Sequence, residues 1–262
     1  MLYRAPRTLI LFAVPLALAL LAGCGGGGDS ESAMEAAPVA AMATVDPATA
    51  GTINGTIMLD GDAPPADTIQ MAADPNCARM HESAVMTEFV ITDMEGGLQN
   101  AFVYIKGGLE GMSFPTPTEP VTLNQEGCVY VPHVLGLQVG QELNILNSDA
   151  TLHNIHATPT NNQEFNIGQP VANMSTTRTF DSVEVMVPFK CDVHRWMNSY
   201  AGVLDHPYFA VSSMDGSFSI GNVPPGDYTV GVWHERLGEM EMAVTVGESA
   251  TADASFTYSA AE

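Results

Sequence analysis

The chain predicts an all-β fold, and three observations carry that prediction. Short segments rich in Val, Ile, Thr, Phe and Tyr recur from Thr52 to Val246. Gly, Pro and Asp punctuate them, and apolar and polar residues alternate along most of them. No long stretch with a helical period follows the first 24 residues.

Taken in order, Thr52 to Leu59 alternates and ends at the turn signal Asp60-Gly61. Ala63-Pro64-Pro65 opens a loop. Asp74-Pro75 has the chemistry of a helix start, for a short turn carrying Cys77 and His81. Strands are expected over residues 84–92 and 97–106, before a proline-rich connector over 114–120. Four short strands follow at residues 121–123, 128–131, 137–139 and 142–147. Residues 151–157 carry His153 and His156, and 158–175 read as a polar loop. Strands at 177–180 and 183–187 lead into Pro188-Phe189-Lys190, and 200–204 runs away from the stretch that follows. The last block holds strands at 209–211, 214–220, 228–234 and 240–246, with a turn at 222–227.

Chemistry concentrates in Cys191-Asp192-Val193-His194-Arg195-Trp196-Met197. A thiol, an imidazole and a thioether stand at spacing C-x2-H-x2-M after an expected strand. Thiolate, imidazole and a weak thioether are ligands of a blue-copper electron-transfer centre, which needs one further imidazole. His153, 38 positions before Cys191, offers it. His156 is the competing candidate, because alternation points 153 and 156 to opposite faces and does not choose between them. His194 and Met197 sit on a loop, so the His194 edge is the one expected to face a redox partner. Pro132, Pro188, Phe189 and Trp196 are expected to form an apolar rim there. His234-Glu235 begins like a zinc-protease H-E-x-x-H, but position 238 is Gly, and it reads as a strand end.

Residues 129–204 resemble a cupredoxin of the amicyanin and plastocyanin type. The residues that carry this are Val131-x-His133, Val139-Gly140, Asn147-x-Asp149, His153-Asn154-Ile155 and the Cys191, His194, Met197 loop. The resemblance implies a Greek-key sandwich with one type 1 copper at its end, held by His153, Cys191, His194 and Met197. It implies outer-sphere electron transfer, with Asn154 pinning the two ligand segments together. Arg195 and Trp196 within the loop depart from amicyanin. The flanks are similar to the transthyretin-like module appended to carboxypeptidases. Ile53-x-Gly55-x-Ile57, residues 98–105 and Asp215-Gly216-Ser217-Phe218, then Val223-Pro224-Pro225-Gly226-x-Tyr228, carry that likeness. The expected organisation is a cupredoxin domain at 113–207 inserted in a split transthyretin-like domain at 51–112 and 208–258.

The N-terminus reads as a targeting segment. Arg4 and Arg7 precede an apolar run, Leu9 to Leu21, too short for an ordinary membrane span. Leu21-Ala22-Gly23-Cys24 is similar to a bacterial lipoprotein cleavage box, implying residues 1–24 as signal and a lipid on the Cys24 thiol. Residues 25–50 lack periodicity and are expected as a flexible tether. The protein is therefore expected to be exported and lipid-anchored, facing periplasm or exterior, with the lipid as its sole membrane attachment.

Of the 4 cysteines, Cys24 goes to lipid and Cys191 to metal. Cys77 and Cys128 remain for a disulfide in an oxidising compartment. Together with His81 and His133 they also offer a zinc set. All 30 acidic residues follow Cys24, against six Lys and Arg, a formal −24 after cleavage. That balance argues against nucleic acid and anionic lipid. It favours a basic redox partner, or simply solubility. A carrier rather than an enzyme is expected, since no second ligand set is evident. The alternative is a carbohydrate- or peptide-binding sandwich without functional copper.

Overall fold

The computed structural model describes residues 41–42 and 45–260. The signal segment, Cys24 and most of the tether lie outside the described residues. Within the tether stretch, residues 46–50 form a turn. It is fastened to the connection at residues 247–250, with Ser249 Oγ donating to Ala48 O at 2.6 Å and Ser249 N to Thr49 O at 2.8 Å.

The chain runs β1 (Ala41–Met42), β2 (Gly51–Asp60), a 3₁₀ turn (Met71–Ala73), α1 (Pro75–Arg79), β3 (Phe102–Gly107) and β4 (Met112–Ser113). It continues through β5 (Val121–Glu126), β6 (Val129–Val131), β7 (Val134–Gln138), β8 (Leu143–Asn147) and β9 (His153–Ala157). Then come β10 (Phe165–Gln169), β11 (Met174–Arg178), β12 (Glu184–Lys190), β13 (Asn198–Leu204) and β14 (Phe209–Val211). The last elements are β15 (Ser217–Val223), β16 (Gly226–His234), β17 (Gly238–Val246), β18 (Thr251–Asp253) and β19 (Phe256–Ser259). The protein is all-β, as the alternation predicts.

Two sandwiches result. One stacks the sheet β10-β9-β12-β13-β7 on the sheet β11-β8-β5-β6. Leu123, Tyr130, Leu137, Leu143, Ile145, Ile155, Phe180, Val187 and Phe189 fill it. In β8, Leu143, Ile145 and Asn147 are buried while Asn144 and Leu146 are less so, the period of two that lets one face enter a core. The other sandwich stacks β14-β3-β16-β17 on β15-β2-β18, with β19 also on β2. Its core includes Ile53, Ile57, Leu98, Val103, Ile105, Val230 and Val232.

Two readings of the sequence differ from the structure. Residues 84–92 alternate like a strand, yet pair only through single bridges, Met86 with Thr68 and Thr92 with Leu98. Val85 packs by the disulfide and Val90 by the β2 core, so the segment crosses from one core to the other without a partner strand. Conversely, the polar loop expected at 158–175 contains β10, paired antiparallel with β9. Its Gln169 is fully buried, with Nε2 donating to Ile145 O at 3.0 Å and Oε1 accepting from Gln125 Nε2. A polar composition hid a strand whose amides are paired inside.

Glycine brings the two sandwiches together. Gly136 on β7 and Gly202 on β13 are register partners. A Cβ on Gly136 would stand 2.4 Å from the Phe209 ring, and one on Gly202 would stand 2.2 Å from the Phe102 ring. The missing side chains leave a hollow that Phe102 and Phe209, stacked with centroids 5.7 Å apart, occupy. Val134, Leu204 and Trp233 close around them.

Gly202→Ala is therefore expected to destabilise the chain by about 1–3 kcal/mol through overpacking, seen as a lower denaturant midpoint. Shortening Phe102 to Leu in that background should recover part of the loss. An unchanged midpoint for Gly202→Ala would show that the Phe102 ring is not locked in the hollow.

Candidate metal centre

Strand pairing sets the site. β9 and β12 run antiparallel, with Phe189 opposite Ala157 and Lys190 opposite His156. The chain after Lys190 therefore runs beside Asn154 and His153. Cys191 N donates to Met197 O at 3.2 Å and Met197 N to His194 O at 2.9 Å, closing the loop on itself. His153, Cys191 and His194 each bring one ligand atom within 4.8 Å of the others. All three are buried, and Met197, 1% exposed, belongs to the same packed cluster as Cys191.

Asn154 fastens the two segments. Its Oδ1 accepts from Asp192 N at 2.7 Å and Val193 N at 3.3 Å, and lies 3.3 Å from Cys191 Sγ. Its Nδ2 donates to Asn166 Oδ1 at 2.7 Å and Asp192 Oδ2 at 3.2 Å. The sulfur itself accepts from His194 N at 3.2 Å. Burial raises the pKa of Cys191, but hydrogen bonding from His153, Asn154, His194 and Val193 outweighs it and holds the thiol below its ordinary value.

Each imidazole has a carboxylate behind it. His153 Nε2 donates to Asp149 Oδ2 at 2.9 Å. Asp149 is held in turn by Gly127 N and Cys128 N, both at 2.8 Å. Asn147 shapes this loop, its Oδ1 accepting from Asp149 N at 2.9 Å and its Nδ2 donating to Thr151 O at 3.1 Å. His194 Nε2 donates to Asp74 Oδ2 at 3.0 Å. A carboxylate accepts only, so each Nε2 carries a ring proton and each Nδ1 is the nitrogen turned away from the carboxylate. The two Nδ1 atoms face each other at 2.9 Å. Desolvation opposes charge on His153, but Asp149 and Cys191 outweigh it and hold its pKa above the ordinary value. Two ring nitrogens 2.9 Å apart beside a depressed thiol need a proton or a metal cation between them. This donor set of two nitrogens, one sulfur and a buried thioether fits copper.

The other candidates fall outside the cluster. His156 bonds Asp192 Oδ2 at 2.9 Å and Glu164 Oε1 at 2.8 Å, away from the sulfur. Cys77 and Cys128 form a disulfide, with Cα atoms 5.6 Å apart, and so supply no thiolate to zinc. His81 Nε2 bonds Gly127 O at 2.7 Å. His133 donates to the Glu235 carboxylate, while Tyr200 Oη donates to Glu235 at 3.2 Å. His234 closes β16, where burial lowers its pKa to about 4. Two further groupings of His, Cys and acid share His194 or His153 with this site, and their cysteines are those of the disulfide.

The edge of His194 is not open as the loop position suggested. His194 is 2% exposed. The segment before α1 lies across it, with Asp74 on Nε2 and Cys77 Sγ 3.5 Å from the same nitrogen. Asp74 also caps α1, accepting from Asn76 N at 2.8 Å, and the disulfide ties α1 to Cys128 beside Asp149. Trp196 packs on His194 with ring centroids 5.0 Å apart and donates to Cys128 O at 2.9 Å. Phe189 is core rather than rim, 1% exposed and packed on Phe180 and Phe165. Reading the chain alone missed Asp74 as a partner of the site. Its visible signal was a helix cap, which accounts for an aspartate there by itself.

No family model and no curated protein matches the chain. Among solved structures, a copper-containing nitrite reductase from Thermus scotoductus SA-01 aligns at 19% identity and TM-score 0.32, over 34% of this chain and 23% of that one. An amicyanin mutant in the Cu(I) state aligns at 19% identity and TM-score 0.29, over 32% of this chain and 81% of that one. A purple cupredoxin from Nitrosopumilus maritimus aligns at 19% identity and TM-score 0.28, over 32% and 98%. This chain thus spans about a quarter of the nitrite reductase. In its own strand order, the sandwich of residues 121–204 sets the sheet β10-β9-β12-β13-β7 on the sheet β11-β8-β5-β6, with the Cys191–Met197 loop between β12 and β13.

Proposed function

We propose that this protein is a type 1 copper protein that carries single electrons between redox partners, exported and held to a bacterial membrane through a lipid on Cys24. The observation that supports the reading is the buried meeting of His153 Nδ1, His194 Nδ1 and the Cys191 thiol, with Met197 packed beside them. Copper, when bound, supplies one-electron cycling between Cu(II) and Cu(I). His153, Cys191 and His194 would hold it, with the Met197 thioether as a weak further donor.

The chain's own contribution is rigidity and dryness. His153 opens a strand, and Cys191 follows one, so both are positioned by sheet hydrogen bonds. Asn154 keeps the second segment at a fixed separation from the first. Ligands that cannot shift keep reorganisation small on electron gain and loss. The burial of all three ligand groups leaves no evident position for a substrate, which favours a carrier over an enzyme.

The formal charge of −22 over the whole chain favours a basic partner protein. The flanking sandwich we read as a transthyretin-like module. In its Pro-Pro-Gly-x-Tyr turn the Tyr228 hydroxyl donates to Pro224 O at 2.7 Å, closing the turn that opens β16. With Asp74 over His194, a partner would approach through the outer surface of α1 rather than the imidazole.

Cu(II) added to the purified full chain should produce an intense thiolate-to-copper band in the visible, and Cys191→Ser should abolish it. A colourless protein with a reactive Cys191 would favour the binding-module alternative instead. Met197→Gln should retain copper and the band with a shifted reduction potential. Loss of all copper in that variant would overturn the weak-donor role of Met197.

A further inference from the structure

Resting on the copper reading above, we infer that Asp74 is a positioning residue of the metal centre, supplied from outside the cupredoxin-like sandwich, and that with Asp149 it biases the bound ion toward Cu(II).

The geometry is specific. Asp74 Oδ2 lies 3.0 Å from His194 Nε2, and Asp149 Oδ2 lies 2.9 Å from His153 Nε2. Both imidazoles thus have an anion on the nitrogen opposite the one facing the sulfur. A carboxylate accepting from a ligand histidine fixes its tautomer and orientation and makes the other nitrogen a stronger donor. Its negative charge also lies one imidazole away from the bound ion, and Asp149 is buried while the Asp74 side chain is 24% exposed, so screening is weaker at Asp149 than at Asp74. Both effects favour the more highly charged ion, so they add. Cys191 as thiolate with two aspartates makes three anions around a divalent cation.

Asp74 is built into this position. Its backbone caps α1, its side chain accepts from Asn76 N at 2.8 Å, and Pro75 fixes the first helical residue. Two residues on, Cys77 is bonded to Cys128, whose own N–H donates to Asp149 at 2.8 Å. One covalent link therefore joins the helix that Asp74 caps to the turn whose N–H groups hold Asp149. Both sulfur-bearing residues are fully buried, and Cys77 Sγ is 3.5 Å from His194 Nε2.

The test is Asp74→Asn in the full chain, which keeps an acceptor and removes the charge, with Asp74→Glu as the conservative rescue. Asp60→Asn on β2 controls for net charge. The wild-type visible band reports the copper reading; the difference between variants reports this inference. Asp74→Asn should lower the ratio of Cu(II) to Cu(I) affinity roughly tenfold or more, a rise of about 59 mV or more for a one-electron couple. Asp74→Glu should recover most of it, and Asp60→Asn should leave the ratio within about twofold. A ratio within about twofold of wild type in Asp74→Asn would overturn the inference while leaving the copper reading intact. A wild type without the band would overturn both. A metal-free readout covers a variant that loses copper. Nitrogen–proton NMR of the apo protein should show His194 protonated on Nε2. In Asp74→Ala that proton should exchange at least about tenfold faster, and unchanged exchange would overturn the inference.

Discussion

Two carboxylates decide where the protons of His153 and His194 sit, and the shape of the site follows from that. With Nε2 of each ring committed to Asp149 or Asp74, the two Nδ1 atoms are left facing each other. Buried ring nitrogens 2.9 Å apart, next to a sulfur whose thiol is already easier to ionise, make an arrangement that gains from a cation, a proton or a metal, between them. Strands β9 and β12 supply the positions, Asn154 the spacing, and the aspartates the polarity. Removing any of the three kinds of restraint leaves the other two without a purpose at this spot.

The two sandwiches meet at this requirement. Contact between them is organised by an absence of side chains: Gly136 and Gly202 stand side by side so that Phe102 and Phe209 can reach the sheet. Glu235, just past β16 of one sandwich, is bonded to His133 and Tyr200 of the other. The segment between β2 and β3 then crosses over and reaches the metal end, where the disulfide fastens it. The flanking sandwich is thus more than an appended module: part of its connecting chain forms the outer wall of the site.

Much of this was legible in the sequence. C-x2-H-x2-M after an apolar strand located the loop, and the Asn147-x-Asp149 pattern before His153 located the other segment, although it named the residues without their bonds. Asn147 holds the loop that presents Asp149, and Asp149 orients His153. The choice of His153 over His156 was legible only through the resemblance, because alternation merely separates the faces. The structure separates them by partner, a carboxylate and an imidazole for His153 and surface acids for His156. Asp74 was hidden because it lies 120 positions from His194 and satisfies a local rule, helix capping, that already explains it. The β10 strand was hidden for a related reason: its buried glutamine reads as a loop residue until its partners are known.

The donor set also bears on which metal belongs here. A structural zinc site draws four strong N or S ligands in a tetrahedron, and a catalytic one keeps a position open to water. This cluster gathers two imidazoles and one thiol, and Met197, whose thioether is a weak donor, is buried in the same core cluster as Cys191. The cysteines that could have completed a zinc set are bonded to each other. Burial of His153, Cys191 and His194 leaves little for water. Three strong donors and one weak one, shut away from solvent, suit an ion that alternates between a softer and a harder state while its surroundings stay still. The carboxylates behind the imidazoles place two negative charges on the far side of the rings, Asp149 buried and Asp74 on a side chain 24% exposed. A cation held in front of those rings would gain from both, which makes the acidic pair and the ligand loop parts of one centre.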